Sequence, residues 1–216
     1  MDINFNNTWN KLTRINENSS SIVTFLLPNA TNGFLSNWYP SRIEIFNNIF
    51  NSGEQAFMWA KADTFEDEES KEQIMNTTDP KKLKALGRKI KNYDDTIWSN
   101  KRISLMKEIV KAKFTQNPDL MKKLLATKDL TIVEANAYDK FWACGLKASD
   151  PSINDVSKWS GKNVLGKILM EVRDSNYNTI SEAISLEEEK NIGYNISLDL
   201  LFYFVLFDLD SLSIKL

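Results

Sequence analysis

Three side chains suited to catalysis lie within one short segment, residues 52–62. Glu54 stands at the predicted start of a helix, where the positive end of the helix dipole favours a carboxylate. Phe57 and Lys61 follow three and seven positions later, so all three side chains share one helix face. Together they could line a sugar-binding cleft. The structural alternative, which the pattern alone favours, is a dipole-stabilising acid, a core phenylalanine and a solvated lysine.

A second segment, residues 138–146, pairs an acid with flat aromatic rings. Asp139 and Trp142 lie three positions apart in a loop that follows a predicted strand, and Gly145 comes three positions later. Nucleobase sites use such a pair, because the ring stacks on the base while the carboxylate addresses its polar edge or the sugar hydroxyls. The structural alternative is an aromatic loop without a ligand.

Two weaker signals lie elsewhere. Trp98 follows Ile97 near the start of a predicted helix, and adjacent helix positions point about 100° apart, so Trp98 could face a cleft, although a core position is the default. Residues 161–168 almost spell a P-loop, but Ile168 stands where Ser or Thr must hold magnesium, which excludes an NTPase. Backbone N–H groups at this helix start could still hold a phosphate.

The composition excludes several kinds of site. The chain has no histidine and one cysteine, Cys144. Ser-His-Asp and Cys-His catalysis and the usual zinc sites therefore lack their residues, and no metal or cofactor is expected. The single cysteine, and the lack of an evident signal or membrane segment, predict a cytoplasmic protein with no membrane partner. A net charge of −2 provides no global field for a long nucleic acid but permits local recognition of one modified base.

Cleavage of a ribosyl C1′–N bond suits the residue types that are present. The reaction passes through an oxocarbenium-like state, and a nearby carboxylate can either stabilise its positive charge or activate water. Alternatively, the amine of Lys61 forms a Schiff base with C1′. Neither route needs a histidine or a metal, and the sequence does not choose between them.

Mostly helical elements must position these residues. Strands are predicted over residues 21–28 and 130–134, and a hairpin over residues 43–50. Helices are predicted over residues 54–65, from Asp79-Pro80 to about Ile90, from Asp94 through Phe114, over residues 119–126, and over residues 162–173. The stretch 138–160 is predicted to be rich in loops.

Ten segments between residues 23 and 174 resemble, in order and spacing, the NADAR (YbiA-like) family. They are residues 33–40, 52–62, 85–88, 98, 112–114, 117–120, 124–127, 132–134, 138–146 and 159–173. The resemblance implies an α+β fold: a compact, mostly helical single domain with a few short strands and one nucleotide-type cleft. It also implies an N-glycosyl hydrolase.

The resemblance assigns roles by position. Glu54 would be the main catalytic carboxylate, Asp139 the second acid of the site, and Lys61 a site lysine that could form the Schiff base. Trp98 and Trp142 would flank the substrate. The remaining substrate contacts implied are Phe57, Ser36, Asn37, Gly145, Asn163 and Gly166.

The family is associated with two activities that cut ribose C1′ from an exocyclic nitrogen. One removes ADP-ribose from the guanine amino group in DNA or RNA, including as an antitoxin against a partner ADP-ribosyltransferase toxin. The other hydrolyses phosphoribosylamino-pyrimidine intermediates of riboflavin synthesis. We expect the first activity here, with the second as the alternative and a non-catalytic ADP-ribose-binding module as the alternative of another class.

Two features depart from the family pattern. Gln55 stands where the family often has a histidine, and an amide can hydrogen-bond but cannot titrate. Residues 23–174 are predicted as the catalytic domain, residues 1–22 as an N-terminal extension, and residues 175–216 as a C-terminal appendage without a counterpart in the family.

Overall fold

A computed structural model describes residues 22–189 of the chain, with side chains described as far as residue 176. The strands in this range are β1 (Ile22–Phe25), β2 (Ile43–Ile45), β3 (Asn48–Phe50) and β4 (Thr131–Glu134). The helices are α1 (Gly53–Thr64), α2 (Glu68–Met75), α3 (Pro80–Gly87), α4 (Asp95–Thr115), α5 (Pro118–Leu125) and α6 (Val164–Glu189). These strands and helices confirm the predicted mostly helical α+β class.

The chain divides into two compact units. Among the described residues, the strand unit comprises residues 22–39 and Lys122–Met170, and the helical unit comprises Pro40–Met121 and residues 171–189. None of the helices in the described range is both long enough and apolar enough to cross a membrane.

The strand unit is built on a parallel pair, β1 with β4, whose register sets Ile22 opposite Thr131. The β-branched residues of both strands suit a buried pleated surface. One apolar cluster packs beside the pair, and its buried members are Ile22, Val133, Ala135, Cys144 and Ile153. The long segment between β4 and α6 contains only short 3-10 turns, at Pro151–Asn154 and Val156–Lys158.

The helical unit is centred on α1, which packs against α2, α3 and α4, while β2 also contacts α4. Strands β2 and β3 form the predicted hairpin. Its two loop residues, Phe46 and Asn47, both have positive φ angles, 53° and 57°, as a two-residue turn that matches the strand twist requires.

Side-chain caps fix where these helices begin, because they satisfy N–H groups that have no partner within the helix. The caps and the backbone nitrogens they accept from are Ser52 with Gln55, Asp67 with Ser70, Asp79 with Lys81, and Asp94 with Ile97. The predicted starts at Asp79-Pro80 and Asp94 are thereby confirmed.

Three sequence predictions of helices were wrong or incomplete. Helix α2 was missed because it is polar: only Ser70 and Ile74 are buried, so it lacks an apolar stripe. Helix α3 ends at Gly87 rather than near Ile90. The last helix, α6, does not end at Arg173 but continues to Glu189, across the predicted boundary of the C-terminal appendage. Most of that appendage, residues 190–216, and the N-terminal residues 1–21 lie outside the described residues.

Candidate active site

Helix α1 carries Glu54, Phe57 and Lys61 as the spacing predicted. Glu54 lies in the first turn, one residue after the helix begins, and its side chain is half-buried. The positive end of the helix dipole therefore acts on this carboxylate. Phe57 is buried, and Lys61 lies in the last turn. The helix thus presents an acid and an amine along one face with an aromatic ring between them.

The amine of Lys61 is held in a specific environment within the helical unit. Its Nζ donates a hydrogen bond of 2.7 Å to the carbonyl oxygen of Gly87. The same nitrogen lies 4.3 Å from the ring centroid of Tyr93 and 5.8 Å from that of Trp98. Burial lowers the pKa of Lys61, and the nearby negative charge of Asp95 partly opposes this shift. A lysine in this state reaches its neutral, nucleophilic form more readily than a solvated one.

Trp98 is buried, whereas the adjacent Ile97 is 46% exposed. The Trp98 ring centroid lies 5.1 Å from that of Phe57, with the planes tilted by 47°. Tyr93 donates a hydrogen bond from its hydroxyl to Asp95 Oδ1 at 2.8 Å. Two aromatic rings, those of Tyr93 and Trp98, therefore border the Lys61 amine.

Gln55, at the position of the family histidine, is a structural residue in this chain. Its side chain is fully buried. Its Oε1 accepts a 2.7 Å hydrogen bond from the backbone nitrogen of Asn51, and its Nε2 donates to the carbonyl oxygens of Ile74 and Thr77. Both ends of the Gln55 side chain are therefore used to hold the backbone around α1 and α2, and an amide does not titrate as a histidine would.

In the strand unit, Asp139 organises the loop that carries Trp142. Its Oδ1 accepts hydrogen bonds from the backbone nitrogens of Phe141 at 2.9 Å and Trp142 at 2.7 Å. Within the described part of the chain, the other oxygen, Oδ2, has no hydrogen-bond partner, so it can accept from a ligand. The Trp142 ring is partly exposed and meets Phe141 edge-on, at a centroid distance of 5.0 Å.

Asn163 and Gly166 connect the start of α6 to β4. Asn163 is buried, accepts from the backbone nitrogen of Glu134 at 3.0 Å, and donates to the carbonyl oxygen of Ile132 at 2.9 Å. A Cβ at Gly166 would lie 2.2 Å from that same Ile132 oxygen. Both residues therefore have a packing role, and their predicted contact with ribose or phosphate stays a prediction.

The other predicted substrate contacts in the strand unit are Gly145, Ser36 and Asn37. Gly145 has a φ of +79°, which an L side chain rarely adopts, and a Cβ there would lie 2.3 Å from Ser160 Oγ. Ser36 and Asn37 are buried after the 3-10 turn Gly33–Leu35, and Ser36 Oγ accepts from the backbone nitrogen of Trp38. Their roles toward a substrate stay predictions.

The structure thus brings Phe57 and Lys61 close to Trp98 in the helical unit, with Glu54 on the same face of α1, and it groups Asp139 with Trp142 in the strand unit. Sequence reasoning missed Gly87 and Tyr93 as neighbours of Lys61. Gly87 lies within a family-like segment, residues 85–88, which was a usable signal; nothing in the local sequence singles out Tyr93.

A separate cleft of about 440 Å³ in the helical unit contains none of the predicted site residues. It is lined by Phe46, Trp59, Ala60, Asp63, Thr64, Glu66, Lys101, Ser104 and Leu105. Trp59 and Asp63 lie roughly half a turn of α1 away from Glu54 and Lys61, because each residue advances about 100°.

The NADAR domain profile matches residues 24–175. This chain belongs to the NADAR family. Among its relatives, the N-glycosidase R617 of Acanthamoeba polyphaga mimivirus is 40% identical over 146 residues, which is 65% of this chain and 86% of the relative. The N-glycosidase YbiA of Escherichia coli K12 is 27% identical over 154 residues, covering 71% of this chain and 88% of YbiA.

Two further comparisons concern the fold and a longer relative. The NMR structure of E. coli YbiA superposes with a TM-score of 0.62 at 24% identity, covering 85% of this chain and 97% of YbiA, and so shows the shared fold. A riboflavin biosynthesis protein of Vibrio vulnificus, VVA0006, is 31% identical over 152 residues, covering 70% of this chain. The match spans only 38% of that protein's length. The family resemblance and the enzyme class, N-glycosyl hydrolase, are confirmed.

Proposed function

We propose that this NADAR enzyme removes ADP-ribose from the guanine amino group of ADP-ribosylated nucleic acid. The observation that carries the proposal is the shared face of α1, where Glu54 and Lys61 flank a ring, Phe57, that packs on Trp98 at 5.1 Å. An acid and an amine beside aromatic walls provide what cleavage of a ribosyl C1′–N bond requires.

In the carboxylate route, the C1′–N bond breaks and its electron pair leaves on the guanine amino nitrogen. Glu54 stabilises the positive charge that develops at C1′ and takes a proton from the water that adds there. That proton ends on the leaving nitrogen. One water is consumed, and the products are the guanine amino group and ADP-ribose with a hydroxyl on C1′.

In the amine route, neutral Lys61 adds to C1′ and the guanine nitrogen leaves with a proton. The ribose ring opens, its ring oxygen takes the second amine proton, and a lysine imine forms at C1′. Water then hydrolyses the imine, which restores the amine and releases ADP-ribose. The lowered pKa of Lys61 supports this route, since the nucleophile must be unprotonated.

Charge distribution supports a nucleic-acid substrate over a free metabolite. Residues 24–175 contain 23 Lys+Arg and 20 Asp+Glu, so the family domain carries +3 although the whole chain carries −2. Eight lysines lie in the described part of the strand unit, and all are exposed: Lys122, Lys123, Lys128, Lys140, Lys147, Lys158, Lys162 and Lys167. Exposed lysines on a positively charged surface bind phosphates by releasing counterions.

Two of these lysines border the loop that carries Asp139 and Trp142. The backbone nitrogen of Lys162 donates to the carbonyl oxygen of Lys140 at 2.9 Å, so the two residues are neighbours. The ammonium of Lys162 lies 5.5 Å from the ring centroid of Phe141. We assign phosphate binding to these two lysines of the strand unit.

Hydrolysis of phosphoribosylamino-pyrimidine intermediates is the second candidate, favoured by the similarity to the Vibrio vulnificus riboflavin biosynthesis protein. The chemistry at C1′ is the same, so the two substrates differ in the group that leaves and in the attached chain. A cytoplasmic antitoxin role, with an ADP-ribosyltransferase toxin as the partner that creates the substrate, follows only from the first candidate.

The decisive assay follows release of ADP-ribose from an oligonucleotide that carries ADP-ribosylated guanine. Wild type is compared with Glu54→Gln and with Glu108→Gln, an exposed acid on α4 that serves as the matched control. We expect release by wild type and the control, and at least a 100-fold lower rate for Glu54→Gln. Borohydride should trap an adduct on Lys61 if the amine route operates.

No release from the oligonucleotide, with turnover of the phosphoribosylamino-pyrimidine, would establish the second candidate instead. Tight binding of ADP-ribose without turnover of either substrate would establish the non-catalytic binding module. Equal rates for Glu54→Gln and wild type would exclude Glu54 from the reaction.

A further inference from the structure

The family-like segment at residues 85–88 ends helix α3 and has no role in the chemistry described so far. The last carbonyls of a helix lack partners within it. Here the backbone nitrogens of Arg88 and Lys89 donate to the oxygens of Ala85 and Leu86. The oxygen of Gly87 instead accepts the 2.7 Å hydrogen bond from Lys61 Nζ.

Gly87 contacts Lys61 through its backbone carbonyl, and the space where a side chain would stand is occupied by Met58. A Cβ at this position would lie 2.1 Å from Sδ of Met58, which is one helical turn before Lys61 on α1. The Gly87 backbone is not in the left-handed region, so the backbone itself accepts alanine, and Met58 is the obstacle. A methyl group at Gly87 would therefore require either the Met58 side chain or the α3 backbone to move.

The hydrogen bond to the Gly87 carbonyl oxygen sets the direction of the Lys61 amine. A neutral amine that donates one N–H to Gly87 keeps its lone pair for another atom. The Tyr93 ring at 4.3 Å and the Trp98 ring at 5.8 Å restrict the same nitrogen from other sides. A displacement of the carbonyl releases the amine from this arrangement, and a shift of about 1 Å in a reacting group can cost about 100-fold in rate.

We infer that Gly87 is a positioning residue for Lys61: its carbonyl orients the amine for attack on the substrate, and its lack of a side chain permits that contact. The inference rests on the proposed function, because it gives Lys61 the role of nucleophile. It also gives residues 85–88 a physical reason to be present. Gly87 itself touches no reacting atom.

A rescue experiment tests the inference with four proteins: wild type, Gly87→Ala, Met58→Ala and the double variant. We expect Gly87→Ala to lower kcat at least tenfold while KM stays within about threefold, because the substrate contacts are intact. Met58→Ala removes the obstacle, so the double variant should return to within about threefold of Met58→Ala. A general loss of structure would not be rescued in this way.

A second measurement does not depend on the substrate. Glyceraldehyde forms an imine with a neutral lysine amine and releases water, and borohydride reduces that imine to a stable secondary amine, which mass spectrometry locates. We expect the rate of labelling at Lys61 to change at least threefold in Gly87→Ala and to recover in the double variant. The melting temperature of each variant reports whether it is folded.

The inference is overturned if folded Gly87→Ala keeps kcat and Lys61 labelling within threefold of wild type, or if the folded double variant recovers neither. A wild type that cleaves neither candidate substrate refutes the proposed function, and the labelling series alone then decides whether Gly87 orients Lys61.

Discussion

Lys113 on α4 gives a prediction whose size follows from the structure. The residue is fully buried, and burial lowers the pKa of its ammonium from 10.5 to about 7. In the unfolded chain the group keeps its ordinary pKa. Between pH 7 and pH 10.5 the unfolded chain therefore binds a proton that the folded chain does not, and the free energy of unfolding rises with pH across this window.

The magnitude is set by the pKa difference. One pKa unit corresponds to about 1.4 kcal/mol, and at pH 7 the folded chain is half-protonated at Lys113. Raising the pH from 7 to 9 should therefore increase the stability by about 2 kcal/mol through this residue alone. Lys113→Met removes the titrating group and keeps a similar volume, so the variant should lack this increment.

Urea unfolding at pH 7 and pH 9, followed by circular dichroism, measures the difference. Lys111→Met is the matched control, because Lys111 is an exposed lysine on the same helix. Between pH 7 and pH 9, the free energy of unfolding of the control should rise as much as that of wild type. The free energy of unfolding of Lys113→Met should rise by about 2 kcal/mol less. The same pH dependence in wild type and Lys113→Met would mean that Lys113 stays charged in the folded protein, and the reasoning would be refuted.

Three further predictions concern other side chains. Gln55→Leu removes the partners of a backbone N–H and two carbonyls, and should lower the free energy of unfolding by about 2–4 kcal/mol in urea titrations; a loss under 1 kcal/mol would contradict its structural role. Asn163→Ala removes both hydrogen bonds to β4 and should cost about 2–3 kcal/mol, whereas an unchanged stability with a raised KM would favour the predicted ligand contact. Asp95→Asn removes the charge that raises the pKa of Lys61, so half-maximal labelling of Lys61 by glyceraldehyde should move to lower pH; no movement, or movement upward, would exclude this coupling.

Local signals in the sequence predicted much of the fold. Asp79-Pro80 and Asp94 identified helix starts correctly, because capping is a contact within one helical turn. The polar helix α2 was missed although Asp67 caps it and two glutamates follow, since its capping signal lacks a supporting apolar stripe. The parallel pairing of β1 with β4 joins distant segments, and no local pattern predicts such a partner.

In the candidate site, too, features set by local sequence could be predicted, whereas contacts between separate segments could not. Helical spacing alone set Glu54, Phe57 and Lys61 on one face of α1. The contact of Lys61 with Gly87 depends on how α3 packs on α1, and the sequence marked Gly87 only as part of a family-like segment. The sequence also did not reveal the structural role of Gln55, because its partners lie in two separate segments: Asn51 before α1, and Ile74 and Thr77 at the end of α2 and just after it.

The parallel pairing of β1 with β4 has a consequence for how the chain is made. The register partners Ile22 and Thr131 are 109 positions apart, the difference between 131 and 22. At about 5–20 residues per second, a ribosome needs about 5–20 s to reach the second strand after it has made the first. During that interval the apolar β1 segment has no strand to pair with, while residues 40–121 of the helical unit emerge from the ribosome. Because the paired strands are far apart in the sequence, we expect the strand pair to form slowly. Until it forms, β1 is exposed to chaperones and to neighbouring chains.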